Sequence, residues 1–335
     1  MKKLLITGGT GFLGSWLLEV MESSEFREEL THDTVRLLVR DPAKARGLKS
    51  DVFNYEIVQG NLFDHESLHK ATEGVDAVIH IAALFDITSK WSDFKKANLE
   101  GTRVLIEALN PGSTFILTSS AAYYGLPSTG EKITEEYRGK TFGHYQKSKQ
   151  MQEDLARELC KEKGIKFVAI RPPSIIGPRD YFAVPAFINN ILNGSMVLIK
   201  GGKSIQAFGH PWDVAKAHLL ALKNAGKFDG EAFHVASFQV SMKDYVHAYC
   251  RELGVKPVKR TIPYPIAYLA GAIGEILPIK SDYNRFSVKL LKSWFHLDIT
   301  KAESQLGFKP DYDFDTTIKD TVEWFKKEQP SSRVK

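Results

Sequence analysis

Cysteine is scarce in this chain: Cys160 and Cys250 are the only two in 335 residues. They lie far apart, and neither has neighbours at metal-ligand spacing. That excludes a disulfide framework and a cysteine-based metal site, and it reads as two reduced thiols in a cytoplasmic protein. No metal site of any kind is expected. Low-complexity tracts and internal repeats are missing as well. So is any strong imbalance of charge: the net charge is +5, with lysines scattered among acids, which argues against a nucleic-acid groove. The apolar stretch Pro263–Leu277 has Glu275 inside it and is too short to span a bilayer. It reads as a packed helix, a pocket wall, or a helix lying on a membrane surface. The amino terminus enters an apolar strand after two lysines, which is not the design of a secretory signal.

What is present is an ordinary globular composition, 43% hydrophobic and 25% charged, enough for one large domain or two smaller ones. Short apolar strands alternate with amphipathic helices through the first half, the rhythm of a doubly wound parallel sheet. Strands are expected at Leu4–Thr7, Val35–Val39, Asn54–Val58, Ala77–Ile81, Thr114–Thr118 and Lys166–Arg171. Helices are expected near Gly11–Met21, Glu66–Thr72, Ser92–Ala108 and Tyr145–Lys163. After Arg171-Pro-Pro the rhythm breaks, with helices at Asp180–Asn193, Asp213–Asn224 and Met242–Leu253 and a buried strand at Ala232–Val235. The expected fold is α/β: a Rossmann-type doubly wound sheet with a smaller mixed carboxyl-terminal substrate lobe. Residues 1–174 form the dinucleotide domain, 207–238 return to its sheet, 175–206 and 239–330 form the lobe, and 331–335 are a tail.

Strand Leu4–Thr7 runs straight into Gly8-Gly-Thr10-Gly11-Phe12-Leu13-Gly14, which opens a helix. That is the context a dinucleotide fingerprint requires. Gly8 permits the tight turn, Gly11 lets the backbone approach a pyrophosphate, and Gly14 lets helix pack on strand. Arg40 ends the second strand, where an arginine suits a 2′-phosphate and an acid suits a ribose hydroxyl. NADP(H) is therefore favoured, with NAD(H) as the alternative and Arg36 or Lys44 as helpers. Asn61-Leu62 is placed beside adenine. Ala82 and Ala83 end a buried strand in small residues that let a cofactor lie close, and His80 within that strand reads as a packed, hydrogen-bonded histidine.

Tyr145-Gln-Lys-Ser-Lys149 puts a phenol and an amine one helical turn apart. An ammonium nearby favours the phenolate and lowers a tyrosine pKa, which suits proton transfer near neutrality. The Ser119-Ser120 pair precedes it.

These residues resemble the extended short-chain dehydrogenase/reductase superfamily. Thr7–Gly14, Asn98-Leu-Glu-Gly-Thr102, Thr118–Gly125, Tyr145-x-x-x-Lys149 and Arg171–Pro178 stand in that family's order. The likeness continues through Trp212–Leu220 to Lys301–Pro310, and so covers nearly the whole chain. Ala215–Leu220, Ile262–Tyr268 and Asn284–Val288 look most like its 3β-hydroxysteroid dehydrogenase and dihydroflavonol reductase branch. Three positions depart from relatives that act on nucleotide sugars or from the wider family: Ser174 stands for Asn, Ala121 and Ala122 for acids, and Asn61 for Asp.

The resemblance implies a Ser120–Tyr145–Lys149 triad, with Ser119 as the alternative hydroxyl. Ser120 would bond the substrate oxygen and Tyr145 would exchange its proton. Lys149 would bind the nicotinamide ribose and lower the Tyr145 pKa. Cofactor contacts are implied further for Asn98, Thr118, Pro172, Pro173 and Ser174. Phe85, Tyr124 and Tyr181 are expected at the substrate, and the aromatics Trp91, Phe142, Phe182 and Phe187 near it. The expected activity interconverts a secondary alcohol and a ketone on a hydrophobic sterol-, flavonoid- or acyl-like molecule. The alternatives are a nucleotide-sugar epimerase or dehydratase that retains its NAD, and a dinucleotide-sensing regulator. A homodimer is implied by resemblance only.

Overall fold

Leu4 and Ile6 point to one face of β1 (Lys3–Thr7) and Leu5 to the other, and all three are fully buried. A strand apolar on both faces belongs inside a helix-covered parallel sheet. The computed structural model describes residues 2–28, 30, 34–85, 89–128, 130–276 and 284–328. After β1 come α1 (Phe12–Met21), β2 (Thr34–Val39), β3 (Asn54–Gln59), α2 (His65–Thr72) and β4 (Ala77–His80). The helix expected at 92–108 is instead α3 (Trp91–Phe94), a π-helical turn (Lys95–Glu100) and α4 (Gly101–Glu107). β5 (Thr114–Thr118), α5 (His144–Lys163) and β6 (Lys166–Arg171) complete this half. α5 stops where Gly164 turns left-handed, at φ 65°.

β7 (Ser174–Ile175), α6 (Ala183–Leu192), β8 (Leu198–Ile199), β9 (Ile205–Gly209), α7 (Pro211–Asn224), β10 (Glu231–His234) and β11 (Phe238–Ser241) follow. Then come α8 (Met242–Leu253), β12 (Thr261–Ile262), α9 (Tyr264–Ile276), α10 (Arg285–Lys292) and α11 (Phe314–Glu328). The main sheet has seven parallel strands in the order β10-β6-β5-β4-β1-β2-β3. Of the segment expected to return to this sheet, only β10 pairs within it. β9 pairs instead with β7 and β11 in a separate three-stranded sheet.

One core, from α1 and α7, covers one face of the main sheet; a second, involving α2, α4 and α5, covers the other. The lobe has its own core, in which Tyr245, Tyr249, Ile318 and Phe325 are buried. Phe187 packs against it, tilted to Tyr245 and edge-on to Tyr249 at 5.0 Å between ring centres, so the structure moves it from the cleft to the core. α9 and α10 share a small core of Ala267, Val288 and Ile199. No described helix is long and apolar enough to cross a membrane.

β1 lies between β2 and β4, the point where chain connections diverge and where ligands of such sheets bind at the carboxyl edge. A cavity of about 610 Å³ opens at the opposite edge, lined by Lys2, Asp76, Asn110 and Lys166. It is remote from the chemistry.

Candidate active site

The carboxyl edge begins at the glycine turn. Gly8 has φ +78°, and a Cβ there would stand 2.9 Å from the Ala82 nitrogen. A Cβ on Gly14 would collide with the Gly8 carbonyl oxygen and lie 2.6 Å from the Gly9 Cα. Both positions need glycine. The first turn of α1 carries no side-chain cap, so the amides around Phe12 and Leu13 remain available to an anion. The residues present fit a dinucleotide.

At the end of β2, Arg40 is exposed. Asp41 turns away from it and accepts from the Ala43 nitrogen at 3.0 Å, capping a short turn. Arg36 is not a helper. Its guanidinium donates to Glu56 at 2.8 Å and to the Ala71 and Glu73 carbonyls at 2.9 Å each, because alternate residues of β2 face α2. Asn61 accepts from the Phe63 nitrogen at 2.8 Å, which ties its oxygen into the turn and leaves its amide nitrogen as the group that could meet an adenine.

β4 ends at His80, whose ring bridges Thr7 (2.7 Å) and Thr102 (3.0 Å). Burial, helped by Lys149, lowers its pKa to about 3, so it is a neutral packed histidine. Asn98 sits in the π-helical turn, fully buried. Its oxygen accepts from the Leu84 nitrogen at 2.7 Å, and its nitrogen donates to the Leu84 carbonyl and to Ser148 at 3.0 Å. Asn98 shapes the segment after Ala82 and Ala83.

Ser119 and Ser120 diverge. Ser119 is buried and donates to Glu153 at 2.6 Å. Ser120 is partly exposed, accepts from the Ala122 nitrogen at 3.1 Å, and lies beside Tyr145, whose phenolate it favours. Tyr145 meets Phe85 edge-on at 4.8 Å and 88°, and Phe94 lies behind it. Lys149 is buried and donates to the Thr118 carbonyl at 2.7 Å and to Gln152 at 2.6 Å. The Thr118 hydroxyl bonds His218 at 2.7 Å, so Thr118 serves the scaffold on both sides.

The electrostatics differ from the expectation. Burial raises the Tyr145 pKa to about 12, with Ser120 opposing. Burial lowers Lys149 to about 7, with Glu153 opposing. The expected lowering of Tyr145 by Lys149 is therefore not seen: desolvation governs both groups, and the amine turns to Thr118 and Gln152.

Sequence reasoning missed the polar floor beneath this site. Gln152 and Glu153 follow Tyr145 and Lys149 on the same face of α5, and both are fully buried. The available signal was that polar spacing on a face that has to pack. Arg171 grips Glu153 through two bonds, 2.9 and 2.6 Å, and Arg157 adds a third at 2.7 Å. Burial pushes the Glu153 carboxyl up, but Arg171, Ser119 and Arg157 prevail and hold it below its usual range.

Arg171 also donates to the Tyr124 hydroxyl at 2.6 Å, and His234 closes on the same hydroxyl. Tyr124 is thus fully buried and is corrected from a substrate contact to a structural one. Tyr181 is 60% exposed and packs on Trp324, and Phe182 is 89% exposed. Trp91 lies 6.0 Å from His144, and Phe142 stacks with Phe286 at 6.5 Å, beside the start of α5. Pro172 and Pro173 are buried at the end of β6, and Ser174 is exposed.

The glycine turn lies at the switch point of the sheet, and Ser120, Tyr145 and Lys149 follow from β5 and α5. Residues 4–236 match the profile described as the NAD dependent epimerase/dehydratase family. The chain belongs to that family. Within the NAD dependent epimerase/dehydratase family, the mouse sterol-4-alpha-carboxylate 3-dehydrogenase, decarboxylating, is 25% identical over 342 residues, covering 97% of this chain and 91% of that protein. The crystal structure of gox2253 is 27% identical with a TM-score of 0.78, covering 98% of this chain and 99% of that one. The structure of DesIV, a dTDP-glucose 4,6-dehydratase from Streptomyces venezuelae with NAD and TYD bound, is 23% identical. It has a TM-score of 0.78 and 98% coverage of both chains, and shares the fold. The protein is an enzyme of this NAD-dependent, extended short-chain type.

Proposed function

We propose that this enzyme interconverts a secondary alcohol and a ketone on a hydrophobic small molecule, using Ser120, Tyr145 and Lys149. The observation that carries the reading is the Tyr145 phenol, set beside Ser120 and faced edge-on by Phe85, which is 69% exposed. An apolar ring at the mouth and two hydroxyls behind it suit a greasy carbonyl. The sterol relative supports that substrate class by its name.

Gly8, Thr10, Gly11, Phe12 and Leu13 would hold the pyrophosphate, and Arg40 a 2′-phosphate. Asn61 and Leu62 would meet adenine, Ala82 and Ala83 the ribose, and Pro172–Ser174 the nicotinamide amide. When bound, the nicotinamide supplies or accepts the hydride. Ser120 and Tyr145 aim two donors at the substrate oxygen, where alkoxide charge develops. With its pKa near 12, Tyr145 holds its proton until that charge draws it off. Lys149 has two of its three N–H groups engaged, and the third would serve the ribose. Residues 1–174 with 207–238 would act as the cofactor unit, and 175–206 with 239–330 as the unit that closes over substrate. Tyr145→Phe, assayed on steroid and flavonoid ketones with NADPH, should lose about 10²- to 10⁴-fold in kcat. A variant keeping most of its turnover sinks the assignment.

The second reading, a nucleotide-sugar epimerase or dehydratase, draws on neighbours such as DesIV. Against it stand Ser174 and the apolar Ala121 and Ala122. Mass spectrometry of nucleotide released from the purified protein separates the two, since retained NAD favours the epimerase.

α9 supports access from a lipid surface. Ile266, Leu269 and Ile273 form one stripe, 59%, 62% and 51% exposed. Residues 253–297 hold seven basic residues, Lys256, Lys259, Arg260, Lys280, Arg285, Lys289 and Lys292, against two acids, Glu275 and Asp282. Exposed apolar residues in a segment with an excess of cations suit an anionic bilayer. Wild type should sediment with phosphatidylglycerol vesicles and Ile266→Asp/Leu269→Asp should not. Absence of wild-type binding removes the idea, and a dimer on size exclusion that the double variant abolishes points to a second copy instead.

A further inference from the structure

Lys149 ends a buried chain of hydrogen bonds that runs through Gln152 and Thr102 to His80. The Thr102 hydroxyl donates to the Asn98 carbonyl at 2.6 Å, so its oxygen can only accept from Gln152, at 2.8 Å, and from His80, at 3.0 Å. The shorter of the two Nε2 contacts, to Thr102, assigns the His80 proton to Nε2, with the Gln152 nitrogen farther off at 3.4 Å. Its Nδ1 accepts from Thr7, whose oxygen in turn accepts from the Ala82 nitrogen at 3.2 Å. Gln152 donates to Thr102, so its oxygen must face Lys149, and it does so at 2.6 Å. Reversing the Gln152 carboxamide would set an NH₂ against an amine and a carbonyl against a hydroxyl whose proton is already committed. Gln152 is fully buried, and no water can replace its oxygen without opening the core.

We infer that Gln152 is a positioning residue that keeps Lys149 charged and aimed, anchored through Thr102 and His80 to the base of the glycine turn. The inference rests on the proposed catalytic role of Lys149. Other groups also face the amine or its partners: Tyr145 and Glu153 on α5, neutral His80 on β4, and Arg171 on β6, acting through Glu153. Burial lowers Lys149 to about 7, with Glu153 opposing, and the amine has two acceptors, the Thr118 carbonyl and the Gln152 oxygen; of these Gln152 is the one a side-chain substitution removes.

The test reads Lys149 directly in the ligand-free protein, by NMR titration of ¹³Cε-lysine with the resonance assigned through Lys149→Arg. Gln152→Leu removes the acceptor at similar volume and should move the Lys149 midpoint down by about one pH unit, the size expected for a lost hydrogen bond to a charged group. Gln152→Glu keeps the acceptor, adds charge, and should move it up. The alkaline limb of the kcat profile should follow in the same directions, while dinucleotide affinity at pH 6.5 stays within about threefold. Midpoints unchanged in both variants overturn the inference, however far kcat falls. Should Gln152→Leu not fold, the Gln152→Glu titration alone decides, an unmoved midpoint again overturning it. Failure of the alcohol–ketone reading shows separately, as wild type with no turnover but an intact titration.

Discussion

Ser119 gives its hydroxyl proton to Glu153 at 2.6 Å, and that bond separates it in role from its neighbour Ser120. One serine belongs to a buried ion pair, and the next faces Tyr145. Ser120→Ala should lower kcat about 10²- to 10³-fold, the cost of one donor to a developing oxyanion. Ser119→Ala should leave kcat within about threefold and lower stability by about 1–3 kcal/mol, the cost of an under-satisfied buried acceptor. Steady-state kinetics and urea melts check both, and the reverse pattern would move the catalytic hydroxyl to Ser119.

Arg40 stands exposed at the end of β2, with Asp41 turned into its own cap. Arg40→Ala should weaken NADPH binding about tenfold or more, since a charge-assisted bond to phosphate is lost. NADH binding should change less than about twofold. Titration calorimetry with both nucleotides reads the difference, and equal NADPH affinity in wild type and variant removes Arg40 from the role.

Glu153 and Arg171 are both almost wholly buried. Removing either partner leaves an uncompensated charge, so Glu153→Leu and Arg171→Leu should each cost about 3–5 kcal/mol. The double variant should recover part of that loss. Urea unfolding of the three proteins gives the coupling. Additive losses would mean that the pair does not act as a unit.

His218 is buried between Thr118 and the Val214 carbonyl, and burial lowers its pKa from 6.5 to about 4. The unfolded chain binds this proton as pH falls below 6.5 and the folded chain does not. This group's stabilising share is therefore full above pH 6.5 and declines as pH drops toward 4. Asp213, raised by burial to about 6, acts in the opposite sense, so whole-protein curves mix the two. The difference between wild type and His218→Gln isolates the histidine. It should shrink in wild type's favour by about 1.4 kcal/mol per pH unit between those limits, and a constant difference would contradict a buried neutral ring.

The sheet was readable because two-faced apolar strands and glycine spacing are local signals. Leu4, Leu5 and Ile6 need burial on both sides wherever they occur, and Gly8 and Gly14 are required by contacts within one turn and its neighbouring strand. Tyr145 and Lys149 were equally readable, being one helical turn apart. The expected substrate contact Tyr124 was not. Nothing local says that Arg171, 47 residues on, and His234, 110 residues on, will claim its hydroxyl. Phe187 was misplaced for the same reason, since an aromatic of the lobe core and one of a cleft wall look alike in sequence.

By itself the sequence determined the strands and helices of the main sheet, the glycine turn after β1, and which phenol and amine share a helix face. Those follow from backbone sterics and periodicity within a few residues. Only the tertiary structure decided the state of those groups: burial brought Lys149 to about 7 and Tyr145 to about 12. It also gave Ser119 to Glu153 and turned Gln152 toward the amine. Desolvation and partner choice depend on what other strands and helices bring close, and that is a property of the packed molecule rather than of any segment.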